Sequence, residues 1–162
     1  MTFDRKIALD ILDAQEGTGP VPLLDGDEPA RLLGRTRRIA MVGASPDLGR
    51  PSHGVMRQLL DAGYDVVPVN PTVESVLGRT SYATLEEALT ATGKFDMVDV
   101  FRRPEHTPDI ARSAVTIGAQ SLWLQLGVVN WEAAQIAYEA GLAVVMDRCT
   151  AIEHRRLRFL RD

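Results

Sequence analysis

From residue 38 onward the chain alternates between two hydrophobic periods. Short apolar runs rich in Val, Ile and Leu occupy residues 38–43, 66–69, 97–101, 121–125 and 142–146. Runs of this length with no polar face read as strands buried on both sides of a sheet. Between them apolar residues recur at helical spacing: Val55, Met56, Leu59 and Leu60; Leu85, Ala88 and Leu89; Ile110, Ala114 and Ile117; Trp131, Ala134 and Tyr138. Ser52, Thr84 and Asn130 stand where these helices should start, and Glu87 follows Thr84 at capping-box spacing. Gly63, Gly93, Gly118 and Gly141 stand where they should stop. Within "GRTSYATLEEAL", residues 80–82 predict a further short edge strand.

Strands alternating with helices predict an α/β fold, a doubly wound, mostly parallel sheet flanked by helices. Right-handed crossovers favour the strand order 3-2-1-4-5-6. The first and fourth strands are then neighbours, and ligands bind beyond the carboxyl ends of the strands at that switch point. Residues 43–52, 70–72, 101–104, 125–127 and 147–149 are the segments placed there. Ahead of this unit, "MTFDRKIALDILDAQ" predicts a short amphipathic helix with Ile7, Ile11 and Leu12 on one side. Residues 17–29 are rich in Gly, Pro and Asp and read as a loop. Asp27 is expected to cap a short helix through Leu33, with Pro29 in its first turn. Residues 1–36 thus read as a helical arm packed on one domain, residues 37–162.

Composition narrows the function classes. A chain of 162 residues with 45% hydrophobic and 25% charged residues suits one globular domain with a real core. Its net charge of -4 supplies no general attraction to nucleic acid or an anionic membrane. A polyanionic ligand must therefore be held by local arginines and backbone N–H groups. The single cysteine, Cys149, excludes an internal disulfide and fits a cytoplasmic location. No apolar segment resembles a signal peptide or approaches the roughly 20 residues of a membrane span.

The chemistry concentrates in "IAMVGASPDLGRPSHGVMRQLL", a strand, a glycine turn and a helix start. The turn lacks the Gly-x-Gly-x-x-Gly of a dinucleotide site, and the second strand ends in Asn70-Pro71 rather than an acidic residue. These features disfavour, as the alternative reading, an NAD(P)-binding oxidoreductase or sensor. No Gly-Lys-Ser/Thr marks a P-loop. What remains is a helix N-terminus at Ser52 with its positive dipole end. Arg50 stands beside it, and Arg102 and Arg103 follow the fourth strand. Three arginines at one sheet edge suit a ligand with several phosphate charges. A tight turn with no ligand is the plainer alternative.

Other polar residues carry weaker signals. His53, His106 and His154 lack metal-ligand spacing, so no metal is expected. His53 either contacts a phosphate or is a surface histidine at a helix start, while His106 and His154 read as solvated. Asp99 lies inside an apolar strand and must find partners, either N–H groups of the Gly43 loop or an arginine. No Ser–His or Cys–His pair accompanies it, so no catalytic residue is assigned. Trp123 and Trp131 read as packing, with Trp131 also suited to a partner surface. The basic end "AIEHRRLRFLRD" is expected to pack back on the domain or to form a subunit contact.

Residues 38–152 resemble the stand-alone coenzyme A-binding proteins, which are similar to the CoA-binding domain of the succinyl-CoA synthetase alpha subunit. "RPSHGV", "DVFRR", "WLQLGV" and "VMDRC" carry the resemblance. It implies a Rossmann-like domain that binds coenzyme A, or an acyl-CoA or CoA disulfide, without evident catalysis. By that resemblance Gly43, Ala44, Ser45, Arg50, Pro51 and Ser52 form the phosphate region. Asn70 and Pro71 would border the adenosine, and Phe101, Arg102 and Arg103 would line the middle of the ligand. Gln125, Leu126 and Gly127 would flank the pantetheine arm, with Cys149 near the thiol end. Cys149 itself is expected to be a small buried side chain, with a mixed disulfide to the CoA thiol as the alternative. A lysine of the synthetase after the second strand is Val73 here, and Arg50 or Arg79 would replace its phosphate contact. No phosphohistidine domain follows the last strand, so acyl-CoA synthesis by this chain alone is not expected. A second copy of the chain or an acyl-CoA ligase partner would be its macromolecular company.

Overall fold

A computed structural model describes residues 3–160; Met1, Thr2, Arg161 and Asp162, at the ends of the expected arm and tail, lie outside the described residues. Helices α1 (Phe3–Glu16) and α2 (Glu28–Gly34) precede β1 (Arg38–Val42), α3 (Pro51–Asp61) and β2 (Asp65–Val69). A small hairpin follows, β3 (Ser75–Val76) and β4 (Arg79–Thr80). The chain then alternates through α4 (Leu85–Thr92), β5 (Met97–Val100), α5 (Thr107–Thr116), β6 (Ser121–Leu124), α6 (Trp131–Glu139), β7 (Ala143–Val145) and α7 (Thr150–Leu157). A 3-10 turn, Pro104–His106, leads into α5.

The five longer-range strands form one parallel sheet in the order β2-β1-β5-β6-β7. This is the expected doubly wound order with its outermost strand reduced to one bridge, Val69 to Tyr82. Tyr82 donates to the Pro68 carbonyl, and Asn70 donates to that of Tyr82. Pro68 presents its carbonyl to this outer edge and has no N–H to offer beside it, so a longer strand would lose a ladder bond there. Arg79 and Thr80 pair instead with Val76 and Ser75 in the hairpin, and Arg79 is tied to Asp65.

Alternate strand residues supply two cores, as the period of a strand requires. Ala40, Val42, Val98, Val100, Leu122 and Leu124 pack under α4, α5 and α6. Ile39, Met41, Met97 and Trp123 pack under α2, α3 and α7 with Leu33, Met56, Leu59 and Ala151. The buried stripe of α6 is Ala133, Ala134 and Ala137, facing Ala111 and Ala114 of α5. The expected stripe differed: Tyr138 is exposed and Trp131 only half-buried, because the small alanines let α5 and α6 approach closely.

Helix starts follow local chemistry. Thr84 accepts from the Glu87 N–H, and the Glu87 carboxylate reaches back to the Ala83 N–H at 3.3 Å. Asn130 accepts from the Ala133 N–H. Ser52 lies inside α3 rather than at its cap, since Pro51 already occupies the first turn. Asp27 holds the cap position of α2 but makes no side-chain cap bond, being drawn into an ion pair with Arg156 at 2.8 Å.

The N-terminal segment lies along the β7 edge. Leu24 donates to the Val144 carbonyl, Val21 is buried in the α5–α6 core, and Gly19 lies against the ring of Trp131. Ile7 and Ile11 are half-buried, but Leu12 is exposed. At the other end α7 packs back on α2 and α3. The Tyr64 hydroxyl donates to the Leu33 carbonyl and accepts from His154 Nδ1 at 2.8 Å, so His154 is a packed residue and not the solvated one expected. Burial and the Arg158 charge hold its pKa below the usual value.

Replacing Thr84 by alanine should cost about 1 kcal/mol by freeing the Glu87 N–H. Urea unfolding would show this as a lower midpoint with an unchanged slope.

Candidate functional site at the switch point

β1 and β5 are neighbours, with Val42 opposite Val100. Beyond these residues the chain turns to α3 on one face of the sheet and to α5 on the other, which opens a crevice. Gly43 makes the first turn with φ +85°, and its N–H donates to the Val69 carbonyl. A Cβ there would lie 2.3 Å from the Phe101 carbonyl oxygen, so only glycine fits.

The loop after Gly43 is held by its own polar groups. Ser45 N–H donates to Ser52 Oγ at 3.1 Å, Asp47 N–H to Ser45 Oγ at 3.0 Å, and Gly49 N–H to Asp47 Oδ1 at 2.8 Å. Asn70 Nδ2 donates to the Ala44 carbonyl, while Asn70 Oδ1 accepts from the N–H and hydroxyl of Thr72. His53 is 6% exposed and does not line the cleft below, so it is not the surface residue of the one expectation. Arg57 can only donate, so His53 Nε2 accepts from it and Nδ1–H donates to the Ser45 carbonyl. The turn is therefore braced from β2 and from inside α3.

These segments enclose a cleft of about 1080 Å³. Every candidate residue lines it except Ala44 and Gly127. Ala44 is fully buried in the α3 side of the core. Gly127 N–H is turned to Asp147 Oδ1 at 2.8 Å. Sequence reasoning missed the opposite wall: Thr84 and Glu86 at the start of α4, and Asp109, Ile110 and Ser113 on α5. The spacing of Ile110 and Ser113 marks them as sharing a helix face, but their exposure to a cleft depends on how far α5 stands from α3.

Charge is unevenly spread around the cleft. The Arg50 side chain is 72% exposed, with only a 4.0 Å approach to Asp47. Arg102 and Arg103 are exposed, and their side chains make no hydrogen bond or ion pair among the described residues. Arg79 does not reach the site, because Asp65 holds it at the far end of β2. Arg148 is likewise committed, to Asp25 and Glu153.

Beneath the cleft floor lies a closed polar group. Asp99 is completely buried, and neither the Gly43 loop nor an arginine reaches it. It accepts instead from Gln125 Nε2 at 2.6 Å and from the Thr150 hydroxyl at 3.0 Å. Burial pushes its pKa up to about 7, against the opposing pull of bonds from Gln125, Thr150 and the Val100 N–H. Cys149 is half-buried at the cap of α7, packing against the α3–α7 core on one side and reaching the cleft on the other, not fully buried as expected. Among the described residues no cluster of His, Cys, Asp and Glu could hold a metal ion, and no helix is long and apolar enough to cross a membrane.

The model of a family described as a CoA binding domain matches residues 37–155. The uncharacterized protein YneT of Bacillus subtilis (strain 168) is 41% identical over 127 residues, 78% of this chain and 92% of its own. A hypothetical protein from Pyrococcus horikoshii OT3 superimposes with a TM-score of 0.77 at 43% identity, covering 83% of this chain and 93% of that one. A dinucleotide-forming acetyl-coenzyme A synthetase of Ca. Korarchaeum cryptofilum shares the fold at 21% identity and a TM-score of 0.57, over 66% of this chain and 25% of its own.

The Asp99 carboxyl binds its proton more tightly folded than unfolded, so its contribution to stability falls as pH rises from about 4 through about 7. Asp99→Asn removes that term. The stability of the Asp99→Asn protein relative to wild type should therefore increase between pH 4 and pH 8, as read by urea midpoints. A pH-independent difference would mean that Asp99 is ionised throughout.

Proposed function

The chain belongs to the CoA-binding domain family, and from that premise we propose that its switch-point cleft takes coenzyme A. The observation that carries the proposal is the set of three arginines, Arg50, Arg102 and Arg103, that line the cleft together with the start of α3 and have no strong internal partner. Unpaired guanidinium groups beside a helix N-terminus suit phosphate oxygens, through charge and through forked hydrogen bonds. The cleft lies at the upper end of ligand clefts, roughly 300–1,000 Å³, which suits a long ligand.

In this reading the phosphates lie over the Gly43–Ser45 turn, Pro51 and Ser52, between the arginines. Asn70 and Pro71 border the adenosine, and Phe101 backs the middle of the ligand. The pantetheine arm runs over Gln125 and Leu126 toward Cys149. The residues bind and orient; none is assigned a bond-making step. A nicotinamide dinucleotide suits the cleft less well. β2 is followed by Asn70, whose side chain bonds to Ala44 and Thr72, and no carboxylate stands there to read a ribose. The ligand state remains part of the proposal: free CoA, an acyl-CoA or a CoA disulfide would share the same phosphate contacts.

Replacing Arg50 and Arg102 together by alanine should weaken CoA binding by about 2 kcal/mol or more, the scale of charged hydrogen bonds, while the melting temperature of the free protein stays near wild type. Wild-type protein should gain thermal stability with CoA and little with NAD or NADP. Unchanged CoA affinity in the double variant, or stabilisation by NAD or NADP alone, would overturn the assignment.

A further inference from the structure

Gln125 follows β6 at the cleft floor and is 4% exposed. Both protons of its Nε2 are committed, one to Asp99 Oδ1 at 2.6 Å and one to Thr150 Oγ1 at 3.0 Å. Thr150 has one hydroxyl proton and gives it to Asp99 Oδ2 at 3.0 Å. Its oxygen can then only accept from Gln125, and Asp99, in the ionised form it takes above about pH 7, can only accept as well. The nitrogen of the Gln125 amide is therefore fixed toward the core, and the orientation of the side chain is set by chemistry on both sides.

What remains is the carbonyl oxygen, Oε1. It bonds to no described residue, yet it is not enclosed among the buried unpaired atoms, where Trp131 Nε1 alone is found among the described residues. It is the one polar atom of a nearly buried side chain left open, and Gln125 lines the cleft. The place matters too. In the sheet order, β6 stands one strand away from the β1–β5 junction that carries Arg50, Arg102 and Arg103. Gln125 shares its end of the cleft with Leu126 and Cys149, and Arg148, beside Cys149 in the chain, is neutralised by Asp25 and Glu153. This end is suited to an uncharged part of a ligand.

We infer that Asp99 and Thr150 are positioning residues that lock Gln125 with Oε1 facing the cleft, so that the site selects a ligand arm carrying an N–H donor. The inference rests on the CoA reading, in which the donor is an amide N–H of pantetheine. A locked acceptor discriminates because the amide cannot turn over to offer its nitrogen without breaking two buried hydrogen bonds. An arm presenting a second acceptor at this point would leave Oε1 unpaired against it, the kind of mismatch that polar sites reject most strongly.

Calorimetric titration at pH 8, where Asp99 is ionised, tests it with two probes: CoA, and adenosine 3′,5′-bisphosphate, which carries nucleotide phosphates without pantetheine. Gln125→Met keeps the length of the side chain and removes Oε1. It should lower CoA affinity about tenfold, the scale of one hydrogen bond, and leave the bisphosphate affinity unchanged. Thr150→Val, which loosens the lock, should shift the same ratio in the same direction by a smaller factor, and Thr150→Ser should restore it. Equal losses for both probes would show that these residues act through general damage to the fold. No change for CoA would show that Oε1 is unused. Either result overturns the lock while the CoA reading stands. Wild-type protein that binds neither probe would remove that reading and the inference together.

Discussion

The site depends on how closely the end of β1 can approach the end of β5. Two parallel strands that send their chains to opposite faces create a crevice only if the turn above the first does not fill it. Gly43 satisfies this with a positive φ and no side chain against the Phe101 carbonyl. The consequences spread from there. The loop can fold over Ser52, α3 can begin directly above the sheet, and Asn70 can reach across from β2 to hold Ala44. A side chain at position 43 would push these three contacts apart at once.

Much of the fold was legible in the sequence because strands buried on both faces must be apolar throughout, and helices end where glycine allows a positive φ. Gly63, Gly93, Gly118 and Gly141 all adopt it. The outermost strand was overestimated because its length is set by a missing donor at Pro68, in another strand. The stripe of α6 was misjudged because a helix pair chooses its contact by what lets backbones approach, and alanine does this better than tryptophan or tyrosine.

The candidate site was legible along the strand ends and not across the cleft. Residues that follow strands are placed by the topology alone, which explains why Asn70, Arg102, Gln125 and Cys149 meet at one edge. Residues on the facing wall, such as Ile110 and Ser113, depend on interhelical distance, which no local pattern encodes. Asp99 shows the same limit from inside. A carboxylate in an apolar strand announces that it has partners, but Gln125 and Thr150 lie 26 and 51 residues away in the chain. His53 illustrates the converse: its neighbourhood suggested a ligand, while the loop takes one ring nitrogen and Arg57 of α3 the other.

The backbone bond from Leu24 to Val144 changes what the exposed side of the sheet presents to its surroundings. A bare edge strand is a template for another chain, and the N-terminal segment occupies that template with its own backbone. The groove between this segment and the domain also shares Leu126 and Cys149 with the main cleft. The cysteine end is thus flanked by a strap whose helix is mostly solvent-facing. The thiol stands where two openings meet, the main cleft and the groove beneath the N-terminal segment, and a change in either alters its surroundings.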